Sequence, residues 1–182
     1  VLISCILSLR TKDTTTGPAS KRLFVLADNP KDMLELSKKQ IEKAIFPVGF
    51  YPKKAKWIKE VCRILIEKYN GKVPESEEEL LKLPGVGRKC MSITMCYGFF
   101  KSGYLAIDTH CHRIPNRLGW INTKTPEQTE IELKKILPKK YWQDFNDIIV
   151  TFGQNICVPI SPFCSKCYIN KYCPRISVVR SR

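Results

Sequence analysis

Four cysteines, Cys157, Cys164, Cys167 and Cys173, fall within seventeen residues near the C-terminus, spaced Cys-x6-Cys-x2-Cys-x5-Cys. The residues between and around them are punctuated by Pro and Lys and offer little core of their own. Four thiolates can close around one metal centre, and zinc and a cubane iron–sulfur cluster both accept that ligand set. The spacing differs from the paired Cys-x2-Cys knuckles usual for zinc. Ligand count alone leaves the two centres equally placed. Either would staple the tail and present the 166–171 loop, with Lys166 and Lys171, as a basic surface.

The other five cysteines, Cys5, Cys62, Cys90, Cys96 and Cys111, are scattered, and the total of nine is odd. That pattern argues against a secreted disulfide framework and for a reducing, intracellular setting. Lys and Arg number 31 against 17 acids, a net charge of +14. A surplus of that size makes a polyanion the expected partner, although a basic protein with solvated Lys on its helix faces has the same composition. The longest apolar run, Val1 to Leu9, is too short to span a bilayer and lacks a signal-peptide cleavage pattern. No membrane partner is expected. The chain opens on Val1 inside what reads as an apolar helix, so an earlier start is expected.

Punctuation and periodicity predict an all-α fold. Ser37-Lys-Lys-Gln40 has the spacing of a capping box. From Lys53 to Tyr69, Trp57, Ile58, Val61, Leu65 and Ile66 share one face, with Lys and Glu opposite. Asn70-Gly71 ends that helix. Ser76-Glu-Glu-Glu79 reads as a second capping box opening a short helix through Lys82, and another helix is expected from about Arg88 to Tyr97. Thr125-Pro126 starts a further helix, and Tyr141 to Asn155 reads as the last long one. Pro115 predicts a local kink.

Leu83-Pro84-Gly85-Val86-Gly87 between two helices is a helix-hairpin-helix signature. Its glycines allow a tight turn and a close backbone approach. The amides of Gly85, Gly87 and Arg88 at the start of the following helix suit a phosphate oxygen. Gly85, Val86, Gly87 and Arg88 are therefore candidate DNA contacts, of the kind that position without reading sequence. Lys89, in the first turn of that helix, reads either as another phosphate-binding cation or as a nucleophilic amine. The second role needs the uncharged amine, which a helix N-terminus and Arg88 both favour. A carboxylate partner would separate the two readings, and Asp108 in Ile107-Asp-Thr-His110 is a candidate. By itself Asp108 reads as an N-cap. His110 and His112, the only histidines, stand two apart and do not share a helical face, so neither a zinc site nor a His triad follows. They are expected to pack or to touch the DNA backbone.

Taken together, Leu83-Pro-Gly-Val-Gly-Arg-Lys89, Ile107-Asp-Thr-His110 and the cysteine tail resemble the endonuclease III family of helix-hairpin-helix DNA glycosylases, from Ile6 to Cys173. The resemblance implies a six-helix barrel domain over residues 1–108, with the hairpin at about 76–97. It implies a C-terminal helical domain over 109–182, whose loop 157–173 would hold a [4Fe–4S] cluster on Cys157, Cys164, Cys167 and Cys173. Lys89 would be the Schiff-base lysine and Asp108 the essential aspartate. The implied partner is double-stranded DNA carrying a damaged pyrimidine or an abasic site, bound by a monomer.

Two positions qualify the resemblance. Arg10 stands where many family members have a Gln that helps fill the gap left by a flipped base. Phe50 matches a position that often holds an apolar wedge, though a packed core aromatic reads equally well there. His110 is carried as a further candidate DNA contact. The competing readings are a monofunctional mismatch glycosylase of the same fold, against which Lys89 argues, and a non-catalytic helix-hairpin-helix DNA-binding module, which has no need of Asp108.

Overall fold

The computed structural model describes residues 1–182. It is all-helical, as the punctuation predicts, with no strand. Two compact units divide between Lys101 and Ser102, a few residues before the expected division after Asp108.

The first unit holds α1 (Leu2–Ser8), α2 (Asp13–Leu26), α3 (Pro30–Glu35), α4 (Lys38–Ile45), α5 (Tyr51–Tyr69), α6 (Glu77–Leu81) and α7 (Arg88–Ile93). The apolar stripe of α5 buries Ala55, Ile58, Val61, Cys62 and Leu65, the first three completely. Ala55, Ile58 and Cys62 pack into a core with Leu7, Leu23, Met33, Ile41 and Ile45. Burying each large aliphatic side chain of such a core contributes about 1.5–3 kcal/mol. Asn70 in the left-handed region and Gly71 at φ +76° stop α5 where the Asn-Gly pair predicts. The Ser37–Gln40 capping box forms, with both reciprocal bonds present.

The expected box at Ser76 does not form: Ser76 stands at the N-cap of α6, but its side chain makes no capping bond. Its intended partner is occupied elsewhere. Glu79 accepts from the Tyr69 hydroxyl and from Lys82 Nζ, the latter at 2.6 Å, so its carboxylate does not fold back to Ser76. The helix after the hairpin is also shorter than expected. It gives way at Thr94 to a π-helical turn, Thr94–Gly98, which reaches past Tyr97.

The second unit holds α8 (Thr109–Arg117), α9 (Pro126–Ile136) and α10 (Trp142–Asn155). Its core gathers Leu105, Ile107, Cys111, Ile114, Leu133, Phe145 and Ile149. Thr125 caps α9 by accepting from Gln128 N, with Pro126 in the first turn as expected. Helix α8 runs through Pro115 to Arg117. The cysteine tail is loop broken by two 3-10 turns. All nine cysteines are free thiols, and no helix is long and apolar enough to cross a membrane.

Candidate active site

The hairpin between α6 and α7 is anchored from below. Leu83 and Val86 are buried, and Val86 N–H donates to Leu83 O at 3.1 Å, closing the turn. Gly85 sits at φ +76°, and a Cβ placed there would lie 2.6 Å from Cε3 of Trp57 on α5. Both facts demand glycine, and the second shows why Trp57 faces inward: its ring is the floor of the hairpin. Gly87 is different. It is extended, exposed and open to solvent, and it is the N-cap of α7 with no side-chain cap.

The two glycines should therefore behave differently. Gly85→Ala incurs a left-handed backbone penalty and an overlap with Trp57, together about 2–4 kcal/mol. Denaturant unfolding should show that loss. Gly87→Ala should leave stability within about 0.5 kcal/mol and act only on a ligand approaching the backbone.

Lys89 is half-buried in the first turn of α7, directly before the buried Cys90. Cys90 and Cys5 of α1 form a hydrogen-bonded thiol pair near Lys89. Thr94 joins them, its hydroxyl donating to Cys90 O at 2.9 Å. The bond to Cys5 and burial both hold the Cys90 thiol protonated. Scattered cysteines in the sequence gave no sign of this pairing.

Asp108 is half-buried at the N-cap of α8, where its Oδ1 accepts from the backbone N–H of His110 and of Cys111, each at 2.8 Å. The segment leading into it, Leu105 to Ile107, is buried. Asn146 of α10, itself buried, donates to Ala106 O at 3.0 Å and fixes that approach. His110 is placed against α10. Its ring fills the notch of Gly153, where a Cβ would fall 2.4 Å from Nδ1, and Nδ1 meets Arg113 at 3.1 Å.

Arg10 and Phe50 are brought together although forty positions separate them. Both are exposed and both adopt left-handed backbone, at φ 51° and 57°. The Arg10 guanidinium lies 5.9 Å from the Phe50 ring centroid, within cation–π range.

In the tail, Cys157, Cys164, Cys167 and Cys173 line one cavity with Ile114, Phe152 and Arg117. Burial and the other three thiols raise the Cys167 thiol above its ordinary value. Arg117 is nearly buried and brackets the tail. Its guanidinium donates to Val158 O at 2.8 Å and Pro159 O at 2.6 Å and meets Cys157 Sγ at 3.4 Å. Its carbonyl accepts from Ile176 N–H at 3.1 Å, beyond Cys173. Arg113 reaches Cys157 O at 2.8 Å. These two arginines, four apart and so on one face of α8, went unread in the sequence. Their spacing was the available signal.

Residues 3–139 match the family described as HhH-GPD superfamily base excision DNA repair protein. Over 173 residues the chain is 49% identical to endonuclease III of Thermotoga maritima, covering 95% of this chain and 81% of that one. It is 40% identical over 176 residues to endonuclease III-like protein 1 of Gallus gallus, covering 96% of this chain but 63% of that longer relative. A solved structure of a trapped endonuclease III–DNA covalent intermediate superposes with a TM-score of 0.88 at 35% identity, over 96% of this chain and 82% of that one. A thermostable thymine-DNA glycosylase superposes with a TM-score of 0.80 at 30% identity, over 96% and 82%. Hairpin, capped aspartate and cysteine-lined cavity thus occur in a chain that belongs to the HhH-GPD superfamily of base excision DNA repair proteins, among the endonucleases III.

Proposed function

We propose that this protein is a bifunctional DNA glycosylase and abasic-site lyase acting on oxidised or ring-saturated pyrimidines in duplex DNA. The observation that carries the reading is Lys89, a primary amine in the first turn of the hairpin's second helix, in a chain similar to one trapped covalently on DNA. The uncapped N-terminus of α7 and Gly85 to Arg88 supply the phosphate contact that holds the strand. A damaged base flips out at reduced cost because its stacking is already weakened. Lys89 Nζ then bonds to the sugar C1′ while the glycosidic bond breaks and the base leaves with a proton. Asp108 has both of its backbone bonds on Oδ1, so Oδ2 is the oxygen that takes the amine proton or faces the cationic sugar. The C1′–O4′ bond then breaks, O4′ taking up a proton as the sugar ring opens to the iminium, which loses a C2′ proton and expels the 3′ phosphate, cutting the strand by β-elimination.

The four tail cysteines are the residues that would hold a [4Fe–4S] cluster. Their fit is supported by the cavity that all four thiols line. When bound, the cluster would fix the tail and its Lys166–Lys171 loop as a basic surface. Brown colour with iron and sulfide in the purified protein supports this, and colourless zinc-loaded protein overturns it.

Borohydride trapping tests the activity. With duplex DNA containing thymine glycol or an abasic site, the expected result is a covalent protein–DNA adduct together with strand cleavage. Base release with neither adduct nor cleavage overturns the bifunctional reading in favour of a monofunctional glycosylase, the reading favoured by the likeness to the thymine-DNA glycosylase.

A further inference from the structure

Lys54 is the one lysine of the α5 run that is 1% exposed, and it lies in the first turn of a helix whose apolar face is core. Its Nζ donates to Leu7 O at 2.8 Å, to Leu9 O, and to Thr11 Oγ1 at 3.2 Å. All three acceptors are uncharged. Burying an ammonium among neutral groups is expensive, and burial pushes Lys54 down to about 8, which still leaves it charged at neutral pH. A helix C-terminus such as that of α1 is ordinarily finished by a glycine or by water, at far lower cost. The cation therefore needs a reason beyond capping.

Its surroundings supply one. Arg10 lies between two of the groups that Lys54 holds, Leu9 and Thr11, and Phe50 lies four residues before Lys54 on the same stretch of chain. The Thr11 hydroxyl, besides meeting Lys54, accepts Gly49 N–H at 3.1 Å. Gly49 lies so close beneath Arg10 that a Cβ on it would sit 2.9 Å from Arg10 O. Two corners in left-handed, non-glycine conformation are thus drawn onto one ammonium. Such conformations persist only where the surroundings over-determine them, and they cluster at functional sites.

We infer that Lys54 is a positioning residue that latches the Arg10 corner to the Phe50 corner, so that both side chains enter DNA as one preformed unit. This rests on the reading of Arg10 and Phe50 as the residues that occupy the gap left by a flipped base. The latch touches neither the substrate nor Lys89. It acts where an intact opposite strand must be held, because only there is a gap to fill, and a single-stranded abasic site dispenses with it.

The test compares wild type with Lys54→Met, Thr11→Val and Arg10→Ala. Two activities are measured: single-turnover excision from a thymine glycol duplex, and cleavage of an abasic site in single-stranded DNA. A 2-aminopurine opposite an uncleavable abasic analogue in a duplex reports the filled gap by its fluorescence. Lys54→Met should slow duplex excision by about tenfold or more, consistent with misplacement of a positioned group. It should leave single-strand cleavage within about twofold of wild type, and it should lose the fluorescence change as Arg10→Ala does. Thr11→Val, which keeps the buried cation on its two carbonyl acceptors and removes the hydroxyl that links it to Gly49, should shift the same readouts by a smaller factor, and it decides the matter if Lys54→Met fails to fold. Equal losses on duplex and single strand mean a merely structural lysine and overturn the latch. A fluorescence change lost in Arg10→Ala but kept in the other two variants overturns the latch alone. One kept in all three overturns the gap-filling reading and the latch with it.

Discussion

Lys89→Ala is expected to abolish borohydride trapping and to slow strand cleavage at an abasic site by about a thousandfold or more, which corresponds to roughly 4 kcal/mol of lost transition-state stabilisation. The fold should not register the change. Lys89 is half-buried on the first turn of α7, outside the buried set of Cys90 to Ser92, and alanine is the best helix former. Thermal unfolding should therefore stay within about 1 kcal/mol of wild type. Lys89→Arg separates chemistry from charge. It keeps a cation for a phosphate but offers no amine able to form an iminium. If Lys89 were only a phosphate contact, Lys89→Arg would keep activity, and Lys89→Ala would chiefly flatten the salt dependence of binding, by about 0.9 in the log–log slope. Trapping that survives Lys89→Ala, with that flattened slope, overturns the nucleophile.

The contrast between Lys89 and Lys54 shows what a sequence carries and what it withholds. Lys89 is legible because its environment is local: a Gly-x-Gly turn and a helix start fix its surroundings within five residues. The tail cysteines are legible for the same reason, their spacing being short enough to imply a common centre. Lys54 stands in a run with Lys53 and Lys56 and reads as part of a solvated face. It nevertheless holds the position four before Ile58, which continues the stripe through Val61 and Leu65, and the structure buries it there. The stripe was a usable signal, but its charge argued the other way. What decides its role is the carbonyls of α1, more than forty residues distant, and no local pattern contains them.

Other features were hidden by the same dependence on distant partners. Trp57 reads as part of the apolar face of α5, yet nothing in its neighbourhood points to Gly85 as what it supports. Gly153 in α10 looks like a weak helical residue until His110 is found in its notch. The Ser76 box fails through competition, since Tyr69 and Lys82 claim Glu79. Local grammar proposes a bond there, and the tertiary structure supplies a better partner.

Arg117→Met is expected to loosen the cysteine tail more than any other single change on α8. The guanidinium serves three acceptors on the loop that carries Cys157, and the same residue's carbonyl ties the chain just past Cys173. One residue therefore holds both ends of the four-cysteine segment. Methionine preserves the packed stem but leaves the carbonyls of Val158 and Pro159 without their donor. Losing charge-assisted hydrogen bonds of this kind costs about 1.5–3 kcal/mol each at most, less where water reaches the carbonyl. A total near 3 kcal/mol lowers the unfolding midpoint by on the order of 10 °C for a protein of this size. With the proposed cluster in the tail, iron bound per chain should fall, and chelator should bleach what remains faster than in wild type. Arg117→Lys should recover little, because one ammonium cannot span the acceptors that the planar fork bridges. Helix α8 has nine residues, with Asp108 capping its start and Arg117 closing its end. Unchanged iron content and an unchanged midpoint in Arg117→Met would show that the tail is held by its own turns and not by this helix. A shift in both makes α8 the element that carries the aspartate at one end and the cysteine loop at the other.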